Sequence, residues 1–359
     1  MECFDAAGLK RFTKNVFVSA GIPEEDAGMI AEVLVLTDMR GIHSHGVVRT
    51  ARYLDCVQAG GIQPSAELQI LEESPSHLRG SAAGGLGIPA SVRTTEKLIA
   101  KGRQNPIAIA TVNHSDHYGA AGYYALRCAE EGLIGFSMSN TLPLVAIAGG
   151  ASPAIGNNPF AYACPAGKYR AILFDICMSV VASGKIEIAA QENKEIPFGW
   201  ILDPEGNPTN DPHHIGHGAV LLPFGGHKGY GIAVMVEMLA SVLSNSGILS
   251  GINSWNMIPG QDSNTGHCFM TINPAFFGGL ENFVSRTEGM IDELKTCKKA
   301  PGVDKIFYPG EIEFAKEAEA EKNGVLLSEA SVCELKRAAV LAGYGLSELE
   351  SIRKVVNPL

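Results

Sequence analysis

The chain has 359 residues, 46% of them hydrophobic and 18% charged, with a net charge of -10. That length accommodates two domains and that apolar fraction a large core, which excludes a disordered chain and a disulfide-stapled miniprotein. The acidic balance excludes a nucleic-acid surface, because phosphate binding needs a basic footprint.

Met1 to Lys14 carries an early Asp5 and lacks the basic start and apolar block of a signal peptide. No stretch approaches the ~18 uninterrupted apolar residues of a membrane span. Eight cysteines without a C-x-x-C pair read as reduced thiols of a cytoplasmic protein.

The chain opens helical, with Leu9, Phe12 and Val16 on one face. Pro23-Glu24-Glu25-Asp26 starts a second helix, proline in the first turn and acids at the positive end of the dipole, which runs to Met39. It delivers the densest chemical cluster of the chain, Asp38-Met39-Arg40-Gly41-Ile42-His43-Ser44-His45-Gly46-Val47-Val48-Arg49. A histidine there can carry a proton near neutral pH, and a guanidinium can hold a carboxylate by two parallel hydrogen bonds. Thr50 to Ala59 is a third helix, stopped by Gly60-Gly61.

From Ile70 the texture changes to short apolar runs broken by glycine and proline. Ile107–Val112, Ile134–Met138, Phe160–Cys164 and Ala171–Ile176 read as buried strands. Ala90–Lys101 and Ala120–Glu131 read as the helices between them. A glycine-opened helix covers Tyr230–Leu243, Phe269–Ile272 is a last strand, and helices return after Pro274, ending with Glu329–Leu341 and Ser347–Val355. This order predicts an α/β protein in which a helical domain built from both ends, 1–75 and 275–359, flanks a sheet-containing domain, 76–274.

Gly85-Leu86-Gly87-Ile88-Pro89-Ala90 fits the G-x-G-x-x-A fingerprint of a Rossmann turn, but Pro75–Ser81 before it is a poor strand and no acid ends the next strand. A packing turn is the better reading. Asn113 to Tyr123 follows a good strand and opens a helix, so its free N–H groups and small residues make an anion site. Gly225-Gly226-His227-Lys228-Gly229 opens another helix without Walker A spacing, and Asp175 ends a strand where an acid can meet a ribose hydroxyl. His43/His45, His114/His117 and His213/His214/His217 have metal-ligand spacing, yet no H-E-x-x-H motif or acid-rich loop accompanies them, so no metal is expected.

Taken together, these segments resemble the malate/L-lactate dehydrogenase family that stands apart from the Rossmann lactate and malate dehydrogenases. The resemblance rests on Arg40–Gly46 with Arg49 and Tyr53, Asn113–Tyr124, Gly156-Asn157-Asn158-Pro159, Asp175, Ser179–Val181 with Gly184-Lys185, Pro197–Trp200, Asp203–Pro212, His227–Gly231, Gly266-His267 and Pro309-Gly310-Glu311. It implies a non-Rossmann, mixed-sheet dinucleotide-binding domain and a homodimeric, cytoplasmic NAD- or NADP-dependent oxidoreductase of small 2-hydroxy and 2-oxo acids. Malate is the first choice, ahead of lactate, sulfolactate, ureidoglycolate and cyclic imino acids.

By the same resemblance Ser44 and His45 form a proton-relay pair, Arg49 clamps the substrate carboxylate, and His117 sits at the nicotinamide end as second candidate for the proton. His117, Tyr118, Gly119, Ala120, Ala121, Asp175, Ile176, Cys177, Lys228, Pro309, Gly310 and Glu311 match dinucleotide contacts. Asn140 and Asn157 would complete a polar wall around the substrate. His43 and Asn157 depart from the family's usual Asp and Thr, and Ser183 stands where Arg often precedes Gly-Lys, which tilts the cofactor toward NAD. A metal-dependent hydrolase using the histidine pairs and a non-catalytic dinucleotide sensor are the competing readings.

Overall fold

The computed structural model describes residues 1–354. Strand β1 (Glu2–Phe4) leads into helices α1 (Ala6–Ser19), α2 (Glu24–Met39) and α3 (Thr50–Ala59). Asp5 caps α1 by accepting the Gly8 N–H at 2.8 Å, and Leu9, Phe12 and Val16 are fully buried. Pro23 precedes α2, whose first turn carries Glu24, Glu25 and Asp26. Gly60, at φ 87°, ends α3 in the left-handed conformation that glycine adopts without a Cβ clash.

The middle of the chain runs β2 (Gln69–Glu73), β3 (His77–Ser81), α4 (Gly87–Gly102), β4 (Ile107–Ser115), α5 (Ala121–Glu130), β5 (Ile134–Ser139), β6 (Phe160–Pro165) and β7 (Ala171–Ile176). Helix α6 (Ser183–Gln191) precedes three two-residue strands, β8 (Ile201–Leu202), β9 (Pro208–Thr209) and β10 (Val220–Leu221). Helix α7 (His227–Glu237) continues through a π-helical stretch, Met238–Val242, and strand β11 (Thr265–Ile272) follows. The chain closes with α8 (Leu280–Lys295), α9 (Glu311–Asn323), β12 (Val325–Leu327), α10 (Glu329–Leu341), α11 (Ser347–Ser351) and β13 (Arg353–Lys354).

Seven strands form one mixed sheet in the order β2-β3-β4-β11-β5-β6-β7, with only β3 and β4 parallel. Helices α4 and α5 cover one face with a core that includes Leu78, Leu98, Val112, Tyr124, Leu173 and Phe269. A separate core joins α1, α2 and α3 to α10 and β12 through Leu9, Phe12, Leu34, Leu54, Val325 and Leu335. The small sheet β12-β1-β13 ties the first residues of the chain to its last described ones, so the helical layer draws on both ends. Helix α8 is different: its Ile291 packs with Cys164, Ile172 and Tyr308 on the sheet side.

Several local expectations are corrected. Residues 2–4 are a strand, because Cys3 and Phe4 pair with Val325 and Leu326 rather than with their own neighbours. His77–Ser81 is a strand despite Arg79 and Gly80, since it pairs with β2 on one side and β4 on the other. The last helix stops at Ser351, and Arg353-Lys354 pair with β1; Val355 lies outside the described residues. The β3–α4–β4 unit therefore has the strand–turn–helix context of a nucleotide fingerprint. A Cβ at Gly87 would nevertheless strike the backbone carbonyls of Asp116 and His117, so the turn is filled by protein.

Candidate active site

The histidine loop is built around a buried acid. Asp38, in the last turn of α2, is 2% exposed; its Oδ2 accepts the Val47 N–H at 2.7 Å and its Oδ1 pairs with His43 Nδ1 at 2.9 Å. Gly46 lies against this carboxylate, where a Cβ would collide with it. The chain thus wraps Asp38 in two successive 3-10 turns, His43–His45 and Val47–Arg49, and presents Ser44, His45 and Arg49 on the outside. Ser44 Oγ lies 2.9 Å from His45 Nδ1, and Arg49 Nε donates to the Ser44 carbonyl at 2.7 Å.

The end of β4 supplies the other half. Asp116 Oδ1 accepts the His117 N–H at 2.6 Å and turns the chain toward α5. The His117 ring then stacks with two others, His45 at 5.4 Å between centroids and Trp255 at 4.7 Å and 7°. Tyr53, one turn beyond Arg49 on α3 and 1% exposed, brings its hydroxyl to 2.6 Å from His117 Nδ1. The Arg49 guanidinium sits 5.8 Å over the Trp255 ring. The Trp255 loop is held to α3 by Arg52, which donates to the Asn256 carbonyl at 3.0 Å.

Burial, reinforced by the Arg49 charge, pushes His45 down to about 4, even though part of its ring meets solvent. Burial also holds His117 well below the ordinary histidine value, with His45 and Arg49 adding to it. Both imidazoles are therefore neutral at physiological pH. The cluster offers a neutral base, a hydroxyl beside it, a second imidazole and a guanidinium within one patch.

A cavity of about 380 Å³ lies beyond it, between β7, the start of α5 and the segment leading into α9, within the usual size of a ligand pocket. Ile42, Ala120, Gly122, Asp175, Ile176, Pro309, Gly310 and Glu313 contribute to its lining. Asp175 Oδ2 accepts the Gly122 N–H at 2.7 Å, and a Cβ on Gly122 would press on that carboxylate. Burial lifts Asp175 to about 6, so it is an ionised acceptor at neutral pH. An acceptor with a spare oxygen at a strand end, beside a helix start, is the donor–acceptor chemistry a ribose and its phosphate need. The residues present fit a dinucleotide running from this cavity to the histidine pair along residues 117–122.

A family model described as malate/L-lactate dehydrogenase matches residues 4–336. The chain is 38% identical to the malate dehydrogenase of Pyrococcus abyssi, covering 93% of each chain. The chain belongs to the malate/L-lactate dehydrogenase family. It is also 33% identical to the ureidoglycolate dehydrogenase (NAD(+)) of Escherichia coli, over 88% of this chain and 90% of that one. The solved sulfolactate dehydrogenase of Methanocaldococcus jannaschii superimposes with a TM-score of 0.90 at 30% identity, covering 96% of this chain and 99% of that one. Membership makes the protein an oxidoreductase, and members of the malate/L-lactate dehydrogenase family use a pyridine nucleotide. No helix among the described residues is long and apolar enough to cross a membrane.

Within this malate/L-lactate dehydrogenase frame the structure sorts the predicted residues. Ser44, His45, Arg49 and His117 meet in one place, while Ala120, Asp175, Ile176, Pro309 and Gly310 line the cavity. Gly119 lies on the backbone between the two groups, and Ala121, between two residues of the cavity, is buried in the core under α5. Asn157 is half-buried, with its Oδ1 accepting from Thr141 at 3.0 Å. Lys228, in the first turn of α7, is exposed; its loop is tied to the segment after β7 by the Phe224 N–H donating to the Met178 carbonyl at 3.0 Å.

Other expectations need correction. Asn140 is fully buried: it accepts from the Gly266 N–H and donates to the Gly247 carbonyl and Glu237, which leaves nothing for a substrate. The Tyr118 side chain is in the core, stacked 4.3 Å from His267 with its hydroxyl on Ser137, so only its backbone can meet a cofactor. Glu311 is claimed by Lys295 and Lys305. The Cys177 thiol turns to Ser179 at 3.2 Å. Among the described residues no group of three or more potential metal ligands comes together; His114 pairs with Asp262 at 2.8 Å instead. Sequence reasoning assigned no role to Asp38, Tyr53 or Trp255. The first two were legible as helical neighbours of the motif; Trp255 arrives from a distant loop with no local signal.

Proposed function

We propose that the protein interconverts a small 2-hydroxy acid and its 2-oxo acid, malate and oxaloacetate first, with NAD preferred over NADP. The observation that carries this reading is the convergence of Ser44–His45 and His117 at 5.4 Å with Arg49 beside them. Arg49 holds the C1 carboxylate and so fixes C2 in place. His45, neutral because burial and Arg49 depress it, takes the hydroxyl proton at Nε2 while Nδ1–H rests on Ser44 Oγ. His117 lies against the substrate oxygen. When bound, the nicotinamide supplies the hydride acceptor or donor. Asp175 holds the ribose hydroxyls and the start of α5 faces the phosphates. Asp175 and Glu313 line the same cavity, so a 2′-phosphate there meets like charge, which favours NAD.

The choice of malate leans on the likeness to the Pyrococcus abyssi malate dehydrogenase. Oxidation of NADH and of NADPH is followed against oxaloacetate, pyruvate, sulfopyruvate and a cyclic imino acid. Oxaloacetate with NADH is expected to give the highest kcat/KM. A hundredfold advantage for the imino acid or for sulfopyruvate would replace the substrate, and turnover of none of them would remove the reaction.

The enzyme is read as a cytoplasmic homodimer. Ile109, Met270, Phe136, Tyr162 and Phe174 form a half-buried apolar row across five strands, on the sheet face opposite α4 and α5. Met238, Val242 and Leu243 stand roughly half exposed beside it, and a second copy covers such a patch.

A further inference from the structure

The His117 ring has two nitrogens, and its surroundings treat them differently. Nδ1 lies 3.3 Å from the Gly119 backbone nitrogen, whose N–H points at it. A backbone amide can only donate, so Nδ1 carries a lone pair and the ring proton is on Nε2. The Tyr53 hydroxyl, 2.6 Å away, then also donates to Nδ1. Burial keeps that phenol protonated far above neutral pH, so the donor does not switch off in the working range. His45 and Trp255 stack on the ring. What remains is the Nε2–H edge, which has no protein partner among the described residues and belongs to a half-buried side chain.

A histidine so held is a donor and not a base. To accept a proton from a substrate hydroxyl it would need a lone pair at Nε2. That means moving hydrogen to Nδ1, against two donors already aimed there. To serve as an acid it would leave an anionic ring beside two neutral groups. His45 has no such restraint: its Nδ1 faces a rotatable hydroxyl that can donate or accept.

We propose that Tyr53 is a positioning residue that, with the Gly119 amide, locks His117 as the Nε2–H tautomer. His117 thereby donates a fixed hydrogen bond to the C2 oxygen of the substrate and leaves the proton transfer to His45. In oxidation the substrate O–H bond would break toward His45 Nε2, and a pyridine nucleotide bound in the site would take the C2 hydride. In reduction the C2 oxygen gathers negative charge while hydrogen-bonded to His117 and takes its proton from His45. No net proton passes through His117 in either direction. The substrate contact rests on the proposed hydroxy-acid chemistry; the tautomer does not.

The test begins with nitrogen-15 spectra of the histidine-labelled protein without ligands, the His117 signals being identified by their loss in His117→Gln. A single neutral tautomer with hydrogen on Nε2 is expected across the neutral range. Tyr53→Phe keeps the buried ring but leaves only the long 3.3 Å Gly119 contact on Nδ1, too weak alone to hold one tautomer. It should admit a share of the Nδ1–H form, with kcat reduced about 3- to 10-fold and KM unchanged, the size of one ordinary hydrogen bond. His117→Gln retains an N–H near the ε position and should keep kcat within about tenfold, whereas His45→Gln should lose roughly 10²–10⁴. A wild-type His117 with hydrogen on Nδ1, or a Tyr53→Phe protein with an unchanged tautomer and unchanged kcat, would overturn the proposal. So would His117→Gln losing as much as His45→Gln. Failure to turn over any hydroxy or oxo acid would defeat the proposed function while leaving the spectra to judge the lock.

Discussion

Two side chains on one short loop carry the proposed chemistry, and their charges are coupled. Burial is the larger cause of the depressed His45 value and Arg49 the smaller. A bound carboxylate offsets the Arg49 charge, so substrate binding should raise His45 and make it a better proton acceptor. Arg49→Gln isolates that effect. With His45 as the proposed base, oxidation requires its neutral form, so activity should be present above the His45 value and lost below it. Removing the cation raises the value, and the acid limb of kcat/KM for oxidation should move to higher pH, alongside a large loss of kcat/KM from lost positioning. A limb that stays put, or moves toward acid, would mean Arg49 does not act on His45. At this scale the sequence singled out the loop that carries His45 and Arg49 by its chemistry, while the pairing of Ser44 with His45 and the place of His117 came from the family resemblance; the structure brings all four side chains together. Asn140 was misread, because nothing in its neighbours reveals that Gly247 and Gly266 use up its amide.

The loop between α2 and α3 works because a carboxylate occupies its centre. Asp38 accepts from Val47 and His43, and Gly46 passes close over it. Gly46 has an ordinary extended φ of -88°, so its requirement is space and not backbone freedom. Gly46→Ala therefore has to push the loop off Asp38. It should cost about 1–3 kcal/mol of stability, as overpacking does, and displace His45 enough to lower kcat. Thermal unfolding and steady-state rates measured together would check this; a variant with full stability and full turnover would show that the loop is not pinned. The elements themselves were legible where a 3.6-residue period is strong, as in α1, or where a short apolar run is bounded by turn residues, as in β5 and β7. They were not where pairing overrides propensity. His77–Ser81 has an arginine and a glycine at its centre and becomes a strand only because both neighbouring strands are in register with it.

On the scale of the whole molecule, the half-buried row from Ile109 to Phe174 is the surface proposed to meet a second copy. Phe136→Glu, placed at the centre of that row, should convert the expected homodimer to a monomer in light scattering while the α4/α5 core on the other face stays folded. A wild-type protein that scatters as a monomer would remove the homodimer. The order of apolar runs along the chain determined that this is an α/β protein, with a helical start, a helical end and strands between. It also determined the motif residues, because their chemistry and spacing are local. Only the tertiary structure decided that β11 is inserted between β4 and β5. It alone brought Trp255 over His117 and placed Asp175 opposite Pro309-Gly310. Those are contacts between segments far apart in the chain, and they follow from which apolar faces find each other, not from any property of the segments alone.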